Sequence, residues 1–107
     1  MSTSTQAAAF RKRWRGVILE LVYDGHIKQE SRLDDLTLWG LMRDLSHDVG
    51  QNDVRTLLQQ LCEMRYLRFK LARNDASNEV RISEIEVTRS GIALVEKVES
   101  DALVRVL

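Results

Sequence analysis

The stretch from Gly50 to Arg65, GQNDVRTLLQQLCEMR, combines residues suited to a core with residues suited to recognition. Its apolar residues recur at helical spacing and predict one buried stripe, formed by Val54, Leu57, Leu58, Leu61 and Cys62. The opposite face carries polar side chains that hydrogen-bond well and gain little from burial, namely Gln51, Asn52, Arg55, Thr56, Gln59, Gln60 and Glu63. The pattern therefore predicts a helix with one side for a core and one side for contacting a partner.

A second candidate site is the densest basic cluster of the chain, which consists of Arg11, Lys12, Arg13 and Arg15. These residues lie mostly off the apolar stripe of their predicted helix, as expected either for phosphate contacts or for a solvated face. The whole chain gives no electrostatic argument for nucleic acid, because 16 basic and 16 acidic side chains leave a net charge of zero. Any such argument must rest on local charge.

The sequence gives little support for a catalytic site or a metal site. Asp44, His47 and Asp48 have helical spacing that would suit metal ligands, but such sets near a helix end arise often by chance. Ser46 adjoins His47 without a third orienting group, and no glycine-rich phosphate loop is present. We therefore expect no enzyme, no cofactor and no metal.

Length and composition fit a single globular domain. The 107 residues are 44% hydrophobic and 30% charged, and no apolar run approaches the roughly 20 residues that span a bilayer. The single cysteine, Cys62, lies on the apolar stripe and is expected to be a core residue. The N-terminus lacks the apolar segment of a secretory signal, so we expect a cytoplasmic protein without a membrane partner.

Hydrophobic periodicity divides the chain into three helices, a hairpin and a closing helix. The three-residue break before Gly50 predicts a tight turn between the second and third helices. The predicted segments are a disordered lead-in at 1–5, helices at 6–24, 34–47 and 50–65, strands at 67–71 and 79–87, a helix capped by Thr88, and an apolar tail at 100–107.

Within the first two helices, helical spacing also predicts which residues are buried. The stripe of the first helix is Phe10, Trp14, Val17, Ile18, Leu21 and Val22, and Gly25 is expected to cap it in the left-handed conformation. Ser31 with Asp34 is expected to cap the second helix, whose stripe is Leu38, Leu41, Met42 and Leu45.

The two strands differ in their alternation. Leu67, Phe69 and Leu71 alternate with charged residues and predict one face on the core. In the second strand the alternation slips between Ile82 and Ile85, and one extra residue near Ser83 and Glu84 would return the apolar side to the core. A β-bulge is therefore predicted there.

This order of elements resembles a winged helix-turn-helix domain over about 10–99. Residues 54–70, VRTLLQQLCEMRYLRFK, look like a recognition helix entering the first wing strand, and residues 87–97, VTRSGIALVEK, look like the segment after the wing in many bacterial regulators. Residues 25–61 are similar to short winged-helix proteins of Mu-like prophages. The chain departs from that pattern in Gly50, where serine is expected, and in its apolar tail. The resemblance implies a mainly α fold with a small antiparallel β-hairpin, one domain at 6–99.

The resemblance further implies a sequence-specific DNA-binding regulator, with the 50–65 helix in the major groove. Base contacts are expected from Gln51, Asn52, Arg55, Thr56 and Gln59. Backbone or minor-groove contacts are expected from Arg11, Lys12, Arg13 and Arg15, and from the wing residues Arg73, Asn74, Asn78 and Arg81. Zero net charge and the apolar edge at Leu36 and Trp39 leave open an alternative, a winged helix that binds protein and not double-stranded DNA.

Apolar residues left over after one core is filled predict a homodimer. Leu36 and Trp39 fall off the main stripe of the second helix, and the tail adds further apolar side chains. The predicted interface consists of Leu36, Trp39, Leu103, Val104, Val106 and Leu107. The alternative is that the tail folds back over the first helix of its own molecule.

Overall fold

The computed structural model describes residues 3–28 and 33–107, and it places four α-helices and one two-stranded antiparallel hairpin in them. The fold is therefore α+β, as predicted. The expected cap at Ser31 lies outside the described residues. In chain order the elements are α1 (Thr3–Ile27), α2 (Asp35–Asp44), α3 (Gln51–Glu63), β1 (Leu67–Asn74), β2 (Glu79–Val87) and α4 (Arg89–Val95).

The core is built around the apolar stripe of α3. Val54, Leu58 and Leu61 are fully buried and Leu57 nearly so, which confirms the predicted stripe, while Cys62 is half-buried. This stripe belongs to a single core to which every other element contributes buried residues, and the core removes their apolar surface from water. They include Ile18 and Leu19 of α1, Leu38 and Met42 of α2, Leu67 of β1, Ile82, Ile85 and Val87 of β2, and Leu94 of α4.

Helix α1 is longer than predicted at both ends. It begins at Thr3, inside the expected lead-in, and it continues through Gly25 to Ile27. Gly25 is helical, and no glycine of the described chain has a positive φ angle, so the expected left-handed cap is wrong. The backbone hydrogen bond from Lys28 to Asp24 and the ion pair between their side chains extend the last turn.

Helix α2 is shorter and less buried than predicted. It starts after Asp34, whose carboxylate accepts a hydrogen bond from the Thr37 amide, and it ends at Asp44. Leu38 and Met42 are buried, but Leu41 and Leu45 of the predicted stripe are 37% and 56% exposed. The turn between α2 and α3 spans residues 45–50, because α2 ends three residues earlier than predicted.

The hairpin contains the predicted bulge. Arg68 pairs with Glu86 but Lys70 pairs with Ser83, so β2 carries one residue more than β1 between these pairs. Glu84 there has a φ angle of 51°. The extra residue brings Ile82, Ile85 and Val87 all onto the buried side, which is the physical reason for the slipped alternation.

The outer half of the hairpin extends beyond the core. Leu71 is 64% exposed and Val80 is 39% exposed, so the prediction that Leu71 faces the core is wrong. A backbone bridge between Leu33 and Ile85 ties the inner half to the chain that precedes α2. Thr88 caps α4 as predicted, since its hydroxyl accepts a hydrogen bond from the Gly91 amide.

The C-terminal tail folds back onto α1 of its own chain. The Arg105 amide donates to the Lys12 carbonyl at 3.0 Å, and the Leu107 amide donates to the Glu20 carboxylate at 3.0 Å. Gly16 permits this close approach, because a Cβ atom there would lie 1.8 Å from the Arg105 carbonyl oxygen. No helix among the described residues is long and apolar enough to cross a membrane.

Candidate recognition surface

The outer face of α3 is polar and exposed, as the sequence predicts. Gln51, Asn52 and Gln59 are exposed, and the Thr56 hydroxyl donates to the Asn52 carbonyl one turn earlier. Gly50 serves as the N-cap residue without a side chain, and the Asp53 carboxylate accepts a hydrogen bond from its amide at 3.2 Å. The helix start is therefore held by Asp53, where a serine cap was expected.

Arg55 of the same helix is turned away from this face and toward a buried carboxylate. Its Nε donates to Asp35 of α2 at 2.9 Å, and Arg81 of β2 donates its own Nε to the other oxygen of Asp35, also at 2.9 Å. The Ile82 amide approaches the same carboxylate at 3.4 Å. Asp35, which is 2% exposed, therefore joins α2, α3 and the hairpin at one point.

The charges of Asp35, Arg55 and Arg81 stabilise the contact between α2, α3 and the hairpin. Burial by itself would raise the pKa of Asp35, but hydrogen bonds from Arg81, Arg55 and the Ile82 amide outweigh burial and hold that pKa below its ordinary value. The hydrogen bond to Asp35 likewise raises the pKa of Arg81. Both arginines were predicted to contact DNA, and both are instead committed to a carboxylate within the domain.

The charges around α3 and the hairpin do not add up to a basic surface. Residues 51–87 carry six basic and six acidic side chains, and Asp34 and Asp35 of α2 add two negative charges beside them. Most of the basic groups are paired, as in Arg68 with Glu86, Lys70 with Glu84, and Arg55 with Glu79. The segment that contains α3 and the hairpin therefore carries no net positive charge.

The residues predicted to form the tip of the wing do not all lie there. Arg73 and Asn78 are exposed near the turn of the hairpin, where Asn78 has a φ angle of 56°. Arg81 lies in the Asp35 cluster and not at the tip. The side chain of Asn74 lies outside the described part of the structure.

The predicted basic cluster on α1 also separates into two pairs. Arg11 and Lys12 are exposed. Arg13 donates to the Glu20 carboxylate at 3.1 Å and to the Arg105 carbonyl at 3.0 Å. These contacts hold Arg13 against the tail.

Arg15 is only 8% exposed, so its expected position on a solvated face is wrong. It donates to the Leu103 carbonyl at 2.9 Å and to the Gln60 side chain at 2.7 Å. Burial first, and then the nearby Arg11, lower its pKa, whereas Asp101 raises it. Arg15 is therefore a link between α1, α3 and the tail, and sequence spacing alone gave no sign of it.

The residues of the predicted dimer interface range from buried to exposed in the single chain. Trp39 is half-buried, donates from its indole nitrogen to the Val49 carbonyl at 2.7 Å, and lies under the Arg43 guanidinium. Leu36 and Val106 are half-buried, and Leu103 and Leu107 are exposed. Val104 is 5% exposed and belongs to the core of its own chain, which corrects its assignment to an interface.

A groove between α1 and α3 was not predicted. It has a volume of about 440 Å³, with Leu57 and Trp14 among its apolar lining and Arg11 and Asp53 among its charged lining. Phe10, expected in the core, is 59% exposed at this groove and stacks on Trp14 with ring centroids 5.8 Å apart. The sequence signal was present in the helical spacing of Phe10 and Trp14, but spacing does not reveal whether a neighbouring element covers the ring.

Comparison with protein-family models, with curated proteins and with solved structures finds no match to this chain. A functional conclusion must therefore come from the geometry of its own side chains. Within the described ranges, no three histidine, cysteine, aspartate or glutamate side chains come together as a possible metal site. The polar face of α3, the Asp35 cluster and the groove at Phe10 are the features that such a conclusion can use.

Proposed function

We propose that this chain is a winged-helix domain that binds protein, with the groove between α1 and α3 as its binding site. The arrangement of three helices followed by an antiparallel hairpin supports the winged-helix assignment. The order of elements agrees with the resemblance carried by residues 54–70 and 87–97. The protein-binding role is chosen over DNA binding on the two observations that follow.

The exposed ring of Phe10, stacked on the half-buried Trp14 at the groove, carries the proposal. Phe10 keeps 59% of its surface in water although it stacks on Trp14, and Leu57 extends the apolar lining beneath them. Aromatic side chains are enriched at protein interfaces and often dominate their binding energy, because they bury a large area with few rotatable bonds. An apolar groove with a polar rim is the arrangement expected of such a site.

The charge distribution argues against duplex DNA as the main partner. Binding to DNA draws most of its affinity from basic side chains that neutralise phosphates and release counterions. Here Arg55 and Arg81 are paired with Asp35, and the surrounding residues 51–87 are neutral. The exposed amides of Gln51, Asn52 and Gln59 retain the chemistry for base contacts, so DNA binding stays the second candidate.

Fluorescence anisotropy with labelled duplexes of mixed sequence tests this choice. We expect no saturable binding at low salt up to about 100 µM protein, whereas non-specific DNA-binding proteins reach dissociation constants of about 1–100 µM even at physiological salt. Saturable binding that weakens with added salt would overturn the proposal. Gln59→Ala on α3 and Lys12→Ala on α1 would then show which face is used, since both side chains are exposed and their removal leaves the core intact.

A further inference from the structure

We propose that the groove between α1 and α3 accepts a second copy of this chain, so that a two-fold dimer forms with each Phe10 packed against the groove of its partner. This inference rests on the proposed protein-binding function and names the partner for that site. Three properties of the groove support it: its own tail lies elsewhere, its charges are self-complementary, and its size suits a small dimer interface.

The tail of the same chain does not occupy the groove. The backbone of residues 105–107 contacts α1 at Lys12, Gly16 and Glu20, which recur every four residues along one side of the helix. The groove is lined by α1 residues spaced as i, i+3, i+4 and i+7, from Ala7 to Trp14. At 3.6 residues per turn these two rows lie on opposite sides of α1. The described tail therefore cannot cover Phe10 without leaving its own site.

The charges at the groove are complementary to themselves. Arg11 of α1 and Asp53 of α3 both line it and carry opposite charges. In a two-fold interface the same patch meets itself, so Arg11 of each copy can face the partner's Asp53. The zero net charge of the chain also removes the general repulsion between copies. A second copy thus fits the groove in both charge and apolar character.

The size of this face fits a weak dimer. A standard interface removes roughly 800 Å² from each partner. The part of α1 from Thr3 to Trp14 is about 18 Å long at 1.5 Å per residue, and Ala7 within it allows close approach of another helix. A contact confined to this short segment of α1 and the facing residues of α3 would be small, and for such a small interface we expect a dissociation constant in the micromolar range.

Sedimentation equilibrium of the full chain from about 1 to 200 µM tests the dimer, a range chosen to bracket micromolar affinity. The intact chain should fit a monomer–dimer equilibrium. Phe10→Ala should raise the dissociation constant by roughly 30-fold or more, the effect of removing a central aromatic residue. Leu71→Ala is the matched control, because Leu71 is an equally exposed apolar residue on the hairpin. It should change the dissociation constant less than about twofold, as for residues outside an interface.

The charged rim provides a second, independent test. Arg11→Glu should weaken the dimer, because the new carboxylate would face Asp53 of the partner subunit. Lys12→Glu is the matched control, since the exposed Lys12 side chain makes the same change of charge on the other side of α1 and should leave the dissociation constant nearly unchanged. Circular dichroism melts of each variant verify folding. A chain that stays monomeric at every concentration overturns the second-copy proposal but leaves a different protein partner for the groove. A dimer that Phe10→Ala and Arg11→Glu both leave unchanged overturns its placement at the groove. Failure of the proposed function itself would be seen in the DNA measurement.

Discussion

Replacing Asp35 by asparagine tests whether the buried carboxylate holds α2, α3 and the hairpin together. Asparagine keeps the size of the side chain and one oxygen acceptor, but it removes the negative charge. The Asp35 carboxylate is 2% exposed and accepts from Arg55 and Arg81 at 2.9 Å each. In the variant, one arginine keeps a neutral acceptor and the other faces an amide group that is itself a donor.

The expected loss of stability follows from these contacts. A hydrogen bond to a charged group contributes about 1.5–3 kcal/mol, against about 0.5–1.5 kcal/mol for a neutral one. One such bond is lost and one is weakened, while the cost of burying a carboxylate is relieved. Arg55 and Arg81 are 27% and 30% exposed and regain some hydration. We therefore expect Asp35→Asn to lower the free energy of unfolding by about 2–3 kcal/mol.

Urea denaturation at neutral pH measures this change, with Asp34→Asn as the matched control. Asp34 makes an exposed ion pair with Arg81 at 3.4 Å, and asparagine serves equally well as the N-cap of α2. The control should lose less than about 0.5 kcal/mol, as exposed ion pairs generally do. Equal losses in the two variants would refute the view that the Asp35 cluster is a structural junction.

The effect of Asp35→Asn on the free energy of unfolding should also depend on pH. Because hydrogen bonds lower the pKa of Asp35 in the folded state, its carboxylate contributes stability above the ordinary value of 3.8 and loses it as pH falls through the folded pKa. The difference in unfolding free energy between the wild type and Asp35→Asn should therefore be constant near neutral pH. It should decrease below about pH 4, where the unfolded-state carboxyl becomes protonated. A difference that does not vary with pH would show that Asp35 acts through packing alone.

Two further predictions concern the tail and its anchors. Gly16→Ala should displace the tail from α1, because the new Cβ would lie 1.8 Å from the Arg105 carbonyl oxygen. Hydrogen exchange of the Arg105 amide, which donates to the Lys12 carbonyl, should then become faster. Unchanged protection of this amide would contradict the prediction. The hydrogen bond to Asp101, burial and nearby negative charge raise the pKa of Tyr66 to about 12. The stability that this bond contributes should persist up to about pH 10 and decrease toward pH 12. Tyr66→Phe should abolish this decrease when urea denaturation is measured at alkaline pH. If the variant shows the same pH dependence as the wild type, Tyr66 is not the group responsible for it.

Local patterns predicted much of the fold because each depends on neighbours in the chain. The spacing of Val54, Leu58 and Leu61 corresponds to one helix face, and any compact arrangement must bury it. The slipped alternation around Glu84 required an extra residue whatever the strand packed against, and the bulge is found there. Thr88 caps α4 through an amide three residues away. These features need no knowledge of the rest of the molecule.

The candidate site was predicted less well because its side chains find partners far along the chain. Arg55 and Arg81 were assigned to DNA from their position on a polar helix face and a wing, but both contact Asp35, 20 and 46 residues away. Phe10 was assigned to the core from its spacing, although no described element covers it. An arginine side chain is long enough to contact any of several partners, so its spacing in the sequence does not decide which one it contacts. An apolar helix stripe can also be longer than the elements that pack on it, so spacing does not decide which of its residues are buried.

The sequence by itself determined the buried face of α3, the bulge, the cap of α4 and the zero net charge, because these follow from residue type and from spacing within a few residues. Only the tertiary structure decided which charges remain outside and which apolar residues remain uncovered. It brought Asp35 between two arginines from different elements, and it placed the tail on the side of α1 opposite Phe10. The physical reason is that pairing and burial depend on three-dimensional neighbours, and chain closure brings together residues whose separation in sequence carries no local signal.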